Sequence, residues 1–200
     1  MRTARAALVI VVTISSTPAA ADAQTEPCRY RGASDALADR PSPLDSVTIR
    51  LGDSSAKLCY GRPSARGRSV VGVQDPFGAP WRLGANEPTT LHLPFAASIG
   101  GVEVGPGSYS LYAIPERSTW TIVVNRNTNR WGIPISADVR TADVGSFTVP
   151  VSALNDHVET LEFSFEPTGD AGGELVYRWE RTTFRIPIAR RTPAPPPVSP

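Results

Sequence analysis

The chain has 200 residues, of which 40% are hydrophobic, 20% charged and 8% aromatic, with a formal net charge of +1. That balance excludes a disordered acidic or basic polymer and leaves no global field to gather nucleic acid. Twenty prolines and sixteen glycines exclude a helix bundle, because each proline inside a helix costs about 3 kcal/mol.

Arg2 and Arg5 precede an apolar run over residues 6–14, and small residues then lead to Ala21-Asp-Ala23. A basic start, a short apolar stretch and an Ala-x-Ala site are the pattern of a secretory signal peptide over residues 1–23, cut after Ala23. The run is shorter than the roughly 20 apolar residues that a spanning helix needs. Cys28 follows Thr25-Glu-Pro27 rather than small apolar residues, which argues against lipidation. Export gives meaning to the two cysteines: Cys28 and Cys59 are expected to form a disulfide. Closing that loop contributes roughly 3–4 kcal/mol in the chain-entropy model and would tether residues 24–45 as a leader on the domain that follows. Residues 34–39 of this leader are expected to make one or two helical turns, capped by Ser34 and ended before Pro41.

From Ser46 to Ile188 the dominant signal is alternation with period two. Val47, Ile49 and Leu51 share one face, and Ser46, Thr48 and Arg50 the other. The same arithmetic turns Leu91, Leu93 and Phe95 inward and leaves Thr90 and His92 on a wet face. It recurs at Trp120/Ile122/Val124, Phe147/Val149/Val151, Leu161/Phe163/Phe165 and Phe184/Ile186/Ile188. One buried and one wet face mark antiparallel strands. Turn residues punctuate the runs at Leu51-Gly-Asp-Ser-Ser, Gly105-Pro-Gly, Pro115-Glu-Arg-Ser and residues 167–173. The pattern predicts an all-β antiparallel sandwich over residues 46–189, with a jelly roll or partly closed barrel as the alternative. Residues 159–166 and 174–179 read as its clearest hairpin, and residues 137–141 as a further helical turn. The last stretch, residues 190–200, has five prolines in its final eight positions. It favours extended polyproline II and is expected to be a tail outside the sheets.

Residues 62–90 do not read as strand. They hold Arg62, Arg66, Arg68 and Arg82 together with Trp81, Asn86 and Glu87 among glycines and prolines. Connections of that length are uncommon in packed domains unless functional. Around this segment the chain resembles a family of exported bacterial proteins, DUF2911. The likeness rests on Tyr60-Gly-Arg-Pro-x-x-Arg-Gly-Arg68, Pro76-Phe-Gly-x-x-Trp-Arg82-x-Gly-Ala-Asn-Glu87-x-Thr, Gly105-Pro-Gly-x-Tyr-Ser-Leu-Tyr-x-Ile-Pro115 and Trp120-x-Ile-x-x-Asn125. Leu83 stands where relatives often carry threonine, and Arg66 where many carry lysine. The resemblance implies an exported β-rich domain and no particular activity.

The residues themselves admit several chemistries. Glu87, His92 and another carboxylate are the one conceivable metal set, but a histidine on the wet face of a strand is commoner, and no metal or cofactor is expected. No Gly-x-Ser-x-Gly elbow supports a serine nucleophile. Asp75 and Glu87 are candidate carboxylates for glycoside hydrolysis, with nothing to fix their separation. The arginine forks suit carboxylates and phosphates. One reading has them pair with Glu87 or Asp75 and lock the segment to the sandwich. The other has Arg62, Arg66, Arg68 and Arg82 bind an anionic or carbohydrate ligand, oriented by Asn86 and Glu87, with Trp81, Tyr109, Tyr112 and Trp131 as candidate stacking surfaces. Trp120 and Trp179 read as core. The preferred expectation is an exported, disulfide-clipped binding module in the cell envelope, with a small-molecule or glycan partner, no nucleic acid and no membrane span. An alternative is a hydrolase or isomerase with Glu87 as general acid or base and Arg82 as charge stabiliser; another is a purely structural role. Oligomeric state and substrate stay open.

Overall fold

A computed structural model describes residues 27–32, 37 and 39–191. The stretch read as a signal peptide, most of the helical turn expected at 34–39 and most of the proline-rich tail lie outside the described residues. Among the described residues, ten strands and one short helix follow in chain order: β1 Leu44–Leu51, β2 Ser54–Gly61, β3 Thr89–Leu93, β4 Ala97–Ile99, β5 Val102–Val104, β6 Gly107–Pro115, β7 Thr119–Asn125, α1 Ala137–Arg140, β8 Asp143–Pro150, β9 Ser152–Pro167 and β10 Gly172–Arg190. They form a six-stranded sheet, β1-β2-β3-β6-β7-β8, and a four-stranded sheet, β5-β4-β10-β9, with every pairing antiparallel. The sheets face each other as an open sandwich rather than a closed barrel.

Local chemistry accounts for the joints. Gly52, at φ +60°, supplies the left-handed residue that the two-residue turn between paired Leu51 and Ser54 requires. Ser136 caps α1, its hydroxyl accepting from the Val139 N–H. The expected hairpin has Glu166 opposite Glu174 and Glu162 opposite Arg178. Its second arm does not stop at Trp179: β10 runs on through Phe184, Ile186 and Ile188, irregular around Glu180, and ends beside β4. Strands β4 and β5 are too short to announce themselves by alternation.

The inward residues meet in one core. Trp81 packs edge-on to Trp120 at 5.8 Å and stacks on Trp179 at 5.8 Å and 13°. Tyr177 stacks on Phe184 at 4.4 Å. Such ring pairs add about 0.5–1.5 kcal/mol each beyond the area they bury. One expectation is corrected here. Thr90 and His92 do not lie on a wet face; they are 8% and 5% exposed, and all of β3 is buried. The outer face of the six-stranded sheet is roofed. Cys28 is bonded to Cys59, and Arg29, Tyr30 and Arg31 lie over Thr90 and His92 across a shared hollow. Further along, Asn125 donates to the Val139 carbonyl and the Asp143 carboxylate, both at 2.7 Å, drawing α1 over the sheet.

Candidate functional site

Residues 62–88 join β2 to β3 and are stitched to both sheets. Beyond the start of β3, Trp81 takes that strand's place beside β6, exchanging two backbone hydrogen bonds of 2.7 Å with Ala113. At the other end the Ala65 N–H donates to the Glu159 carbonyl at 2.8 Å, and the Leu161 N–H to the Pro63 carbonyl at 2.9 Å. Between them, the Val70 and Val71 N–H groups donate to the Glu180 carboxylate at 3.0 and 2.9 Å. Gly61 allows the segment to cross its own start, since a Cβ there would lie 2.2 Å from the Ala85 carbonyl oxygen.

This stitching leaves an open hollow of about 290 Å³, bordered by Arg66, Arg68, Gln74, Asp75, Trp81 and Arg82. Trp81 gives it only a margin, being 7% exposed. Each guanidinium is anchored by backbone. Arg66 donates one N–H to the Pro41 carbonyl, Arg68 two to the Ala65 and Ser64 carbonyls, and Arg82 its Nε–H to the Gly84 carbonyl. Among the described residues, the two terminal nitrogens of Arg82 and the carboxylate of Asp75 have no hydrogen-bonding partner. Burial pushes the Asp75 carboxyl up from its ordinary range; Arg82 and Arg68 oppose the shift, and the Glu180 charge adds to it. Burial lowers the Arg82 guanidinium, against the pull of Asp75 and Glu87. Next to Trp81, the hydroxyl of Tyr177 is fully enclosed and has no partner among the described residues. Burial, Glu180 and Asp75 all push its pKa up.

Glu87 lies elsewhere. Both its oxygens accept from Arg40 Nη1 at 2.9 Å, and Oε1 accepts from the Arg31 N–H at 2.6 Å. At 6% exposure it is a clamp for the leader, with both carboxylate oxygens paired, at the border of a second hollow. Its partner Arg40 is not one of the arginines that the sequence singled out. Asn86 also holds the leader, donating to the Ser42 carbonyl at 3.0 Å. Arg62 stands apart from the hollow, donating to the Leu161 carbonyl at 3.0 Å and facing Asp45 at 3.3 Å. Tyr109 belongs to the core, with its hydroxyl on the Gly105 carbonyl at 3.1 Å. Of the aromatic candidates, Trp131 is 50% exposed but outside the hollow, beneath the Arg31 guanidinium at 5.8 Å. Tyr112 is buried with its hydroxyl on Asp143 at 2.8 Å.

The structure therefore gathers Arg66, Arg68, Arg82 and Trp81 and adds Asp75, Gln74 and Trp179; it parts them from Arg62, Asn86, Glu87 and Tyr109. A larger hollow, about 460 Å³, lies under the leader. Its polar groups largely satisfy one another: Glu87 through Arg40, Arg31 with Asn129 at 3.2 Å, His92 with Ser108 at 2.8 Å, and Arg130 with three carbonyls. Among the described residues no three His, Cys, Asp or Glu side chains are placed to hold a metal ion, and no helix is long and apolar enough to cross a membrane.

Fold and site together define an open antiparallel β-sandwich with an arginine-lined hollow at its margin. The chain belongs to the DUF2911 family: the description "Protein of unknown function (DUF2911)" matches residues 42–188. No curated protein and no solved structure matches it.

Proposed function

We propose that this chain is an exported, disulfide-clipped binding module of the cell envelope that takes a carbohydrate or small anionic ligand in the hollow among Arg66, Arg68, Arg82 and Asp75. The observation that carries the reading is hydrogen-bonding capacity left over in a partly buried place. Among the described residues, half-buried Arg82 spends only its Nε–H on the protein, and Asp75 beside it spends neither oxygen. A half-desolvated guanidinium and carboxylate without partners cost stability, and a ligand that completes their hydrogen bonds recovers that cost. The volume lies at the low end of ligand pockets, which run from about 300 Å³ upward, and so suits a small molecule.

The test is titration calorimetry of the disulfide-bonded protein against neutral hexoses, their uronates and inorganic sulfate. Arg82→Lys is run in parallel, since lysine keeps the charge but loses the planar fork. The reading expects saturable binding of at least one probe that weakens in Arg82→Lys. Absence of binding across the panel, or binding that Arg82→Lys leaves untouched, would overturn it.

A further inference from the structure

We infer that the hollow selects a neutral polyhydroxyl ligand, a sugar ring presenting vicinal hydroxyls, and that Asp75 is the residue that rejects anions. This inference rests on the proposed binding function and narrows it to one of the two ligand classes.

The first ground is the inventory of unsatisfied groups. After their backbone contacts, Arg68 retains Nη1 and Arg82 retains both terminal nitrogens as donors, whereas Asp75 offers only acceptors while it is ionised. A sulfate, phosphate or carboxylate accepts without donating. It would satisfy the arginines while placing its own charge against Asp75, and that like-charge juxtaposition opposes binding. A hydroxyl donates and accepts. Two adjacent hydroxyls can each donate to a carboxylate oxygen and each accept from a guanidinium N–H, which completes both sets at once.

The second ground is local charge balance. The guanidiniums at the hollow do not add up to a cationic funnel. The Arg66 backbone N–H donates to the Glu159 carboxylate at 2.6 Å, Arg68 acts on Asp75, and Arg82 feels both Asp75 and Glu87. Glu180 is held a few residues away by Val70 and Val71. With a carboxylate near each arginine, no net field draws an anion in. What remains is a dense set of oriented donors and acceptors, which suits a polar neutral molecule. The margin of Trp81, 7% exposed, supplies a small apolar edge for its C–H groups.

Paired probes test the inference: glucose with glucuronate, galactose with galacturonate and mannose with mannuronate, titrated into the wild-type protein and Asp75→Asn. Within at least one pair the wild type is expected to favour the neutral sugar by about ten-fold or more, and Asp75→Asn to erase or invert that preference. Tighter binding of the uronates or of sulfate by the wild type, with Asp75→Asn leaving the order unchanged, would overturn the selectivity while sparing the binding function. Binding of neither class would remove both. Asparagine is close to isosteric with aspartate, and circular dichroism of the variant checks that the fold is retained.

Discussion

Replacing Arg40 by methionine tests the leader clamp with the least steric disturbance. The two partners are 14% and 8% exposed at the side chain, so this is a buried pair rather than a surface one. Methionine keeps the apolar stem and removes the charge, leaving Glu87 with the Arg31 N–H and the more distant field of Arg82. Breaking a buried pair on one side costs about 3–5 kcal/mol; the surviving N–H places this case at the low end, about 3 kcal/mol. In a domain of this size that lowers Tm by about 6–12 °C. Urea unfolding of the oxidised protein measures the loss, and hydrogen exchange at the Arg31 amide measures it locally, with about a hundred-fold faster exchange expected. In a Glu87→Gln background the same Arg40 substitution is expected to cost under about 1 kcal/mol, because the two residues act as one unit. If Arg40→Met alone costs less than about 1 kcal/mol, as exposed pairs do, then Glu87 is solvated in solution and the clamp is wrong.

Asp75→Asn carries a stability prediction separate from ligand choice. The folded carboxyl is held above its ordinary value of 3.8, chiefly by burial. Its ionised form therefore costs stability above the folded pKa, and the cost disappears as pH falls below the unfolded value. Asp75→Asn is expected to melt higher than wild type at pH 7, with the gap closing as the pH is lowered through the carboxylate range; a gap that widens on acidification would refute the assigned burial. Gly61→Ala would drive a methyl to 2.2 Å from the Ala85 carbonyl oxygen, where backbone meets backbone and no rotamer relieves the clash. A loss at the upper end of overpacking costs, about 3 kcal/mol, is expected in urea unfolding, and a change below 1 kcal/mol would refute the crossing.

The fold was legible because inward residues of one sheet always meet the other sheet, and that contact leaves a period of two in the chain. Ile49, Leu91, Ile122 and Ile186 are all fully buried as their positions imply. Thr90 and His92 were misread for a definite reason. Whether an outer face is wet depends on what crosses it, and residues 28–31 cross it through a disulfide contact that no local pattern encodes. The hollow was half legible. Four of its bordering residues, Arg66, Arg68, Trp81 and Arg82, stand out as an anomaly of composition in an over-long connection. Their separation from Glu87 was not legible, because Arg40 competes for that carboxylate from the leader and only the three-dimensional path brings it there. Glu180 carried no turn signal in the sequence, yet it adopts φ +53° and fixes Val70 and Val71.

Backbone strain supplies an independent line on the same region. Among the described residues, four that are not glycine have left-handed φ: Arg66 at +53°, Leu83 at +55°, Asn86 at +60° and Glu180 at +53°. Three lie within residues 62–88, and the fourth holds that segment through its carboxylate. Asn86 tolerates the geometry, and Leu83 gains more from complete burial than the strain costs. Arg66 has neither excuse. It is exposed, and among the described residues its side chain gives the protein one bond, to the Pro41 carbonyl at 2.9 Å. Arg66→Gly removes about 1–2 kcal/mol of left-handed strain and loses about 1 kcal/mol for the hydrogen bond. The greater freedom of glycine in the unfolded chain offsets about another 0.4–1 kcal/mol. The variant is expected to unfold within about 1 kcal/mol of wild type while sugar binding weakens. Such a split would mean that a guanidinium is kept in an unfavourable backbone conformation for its place at the hollow; a large loss of stability with unchanged binding would make Arg66 part of the scaffold instead.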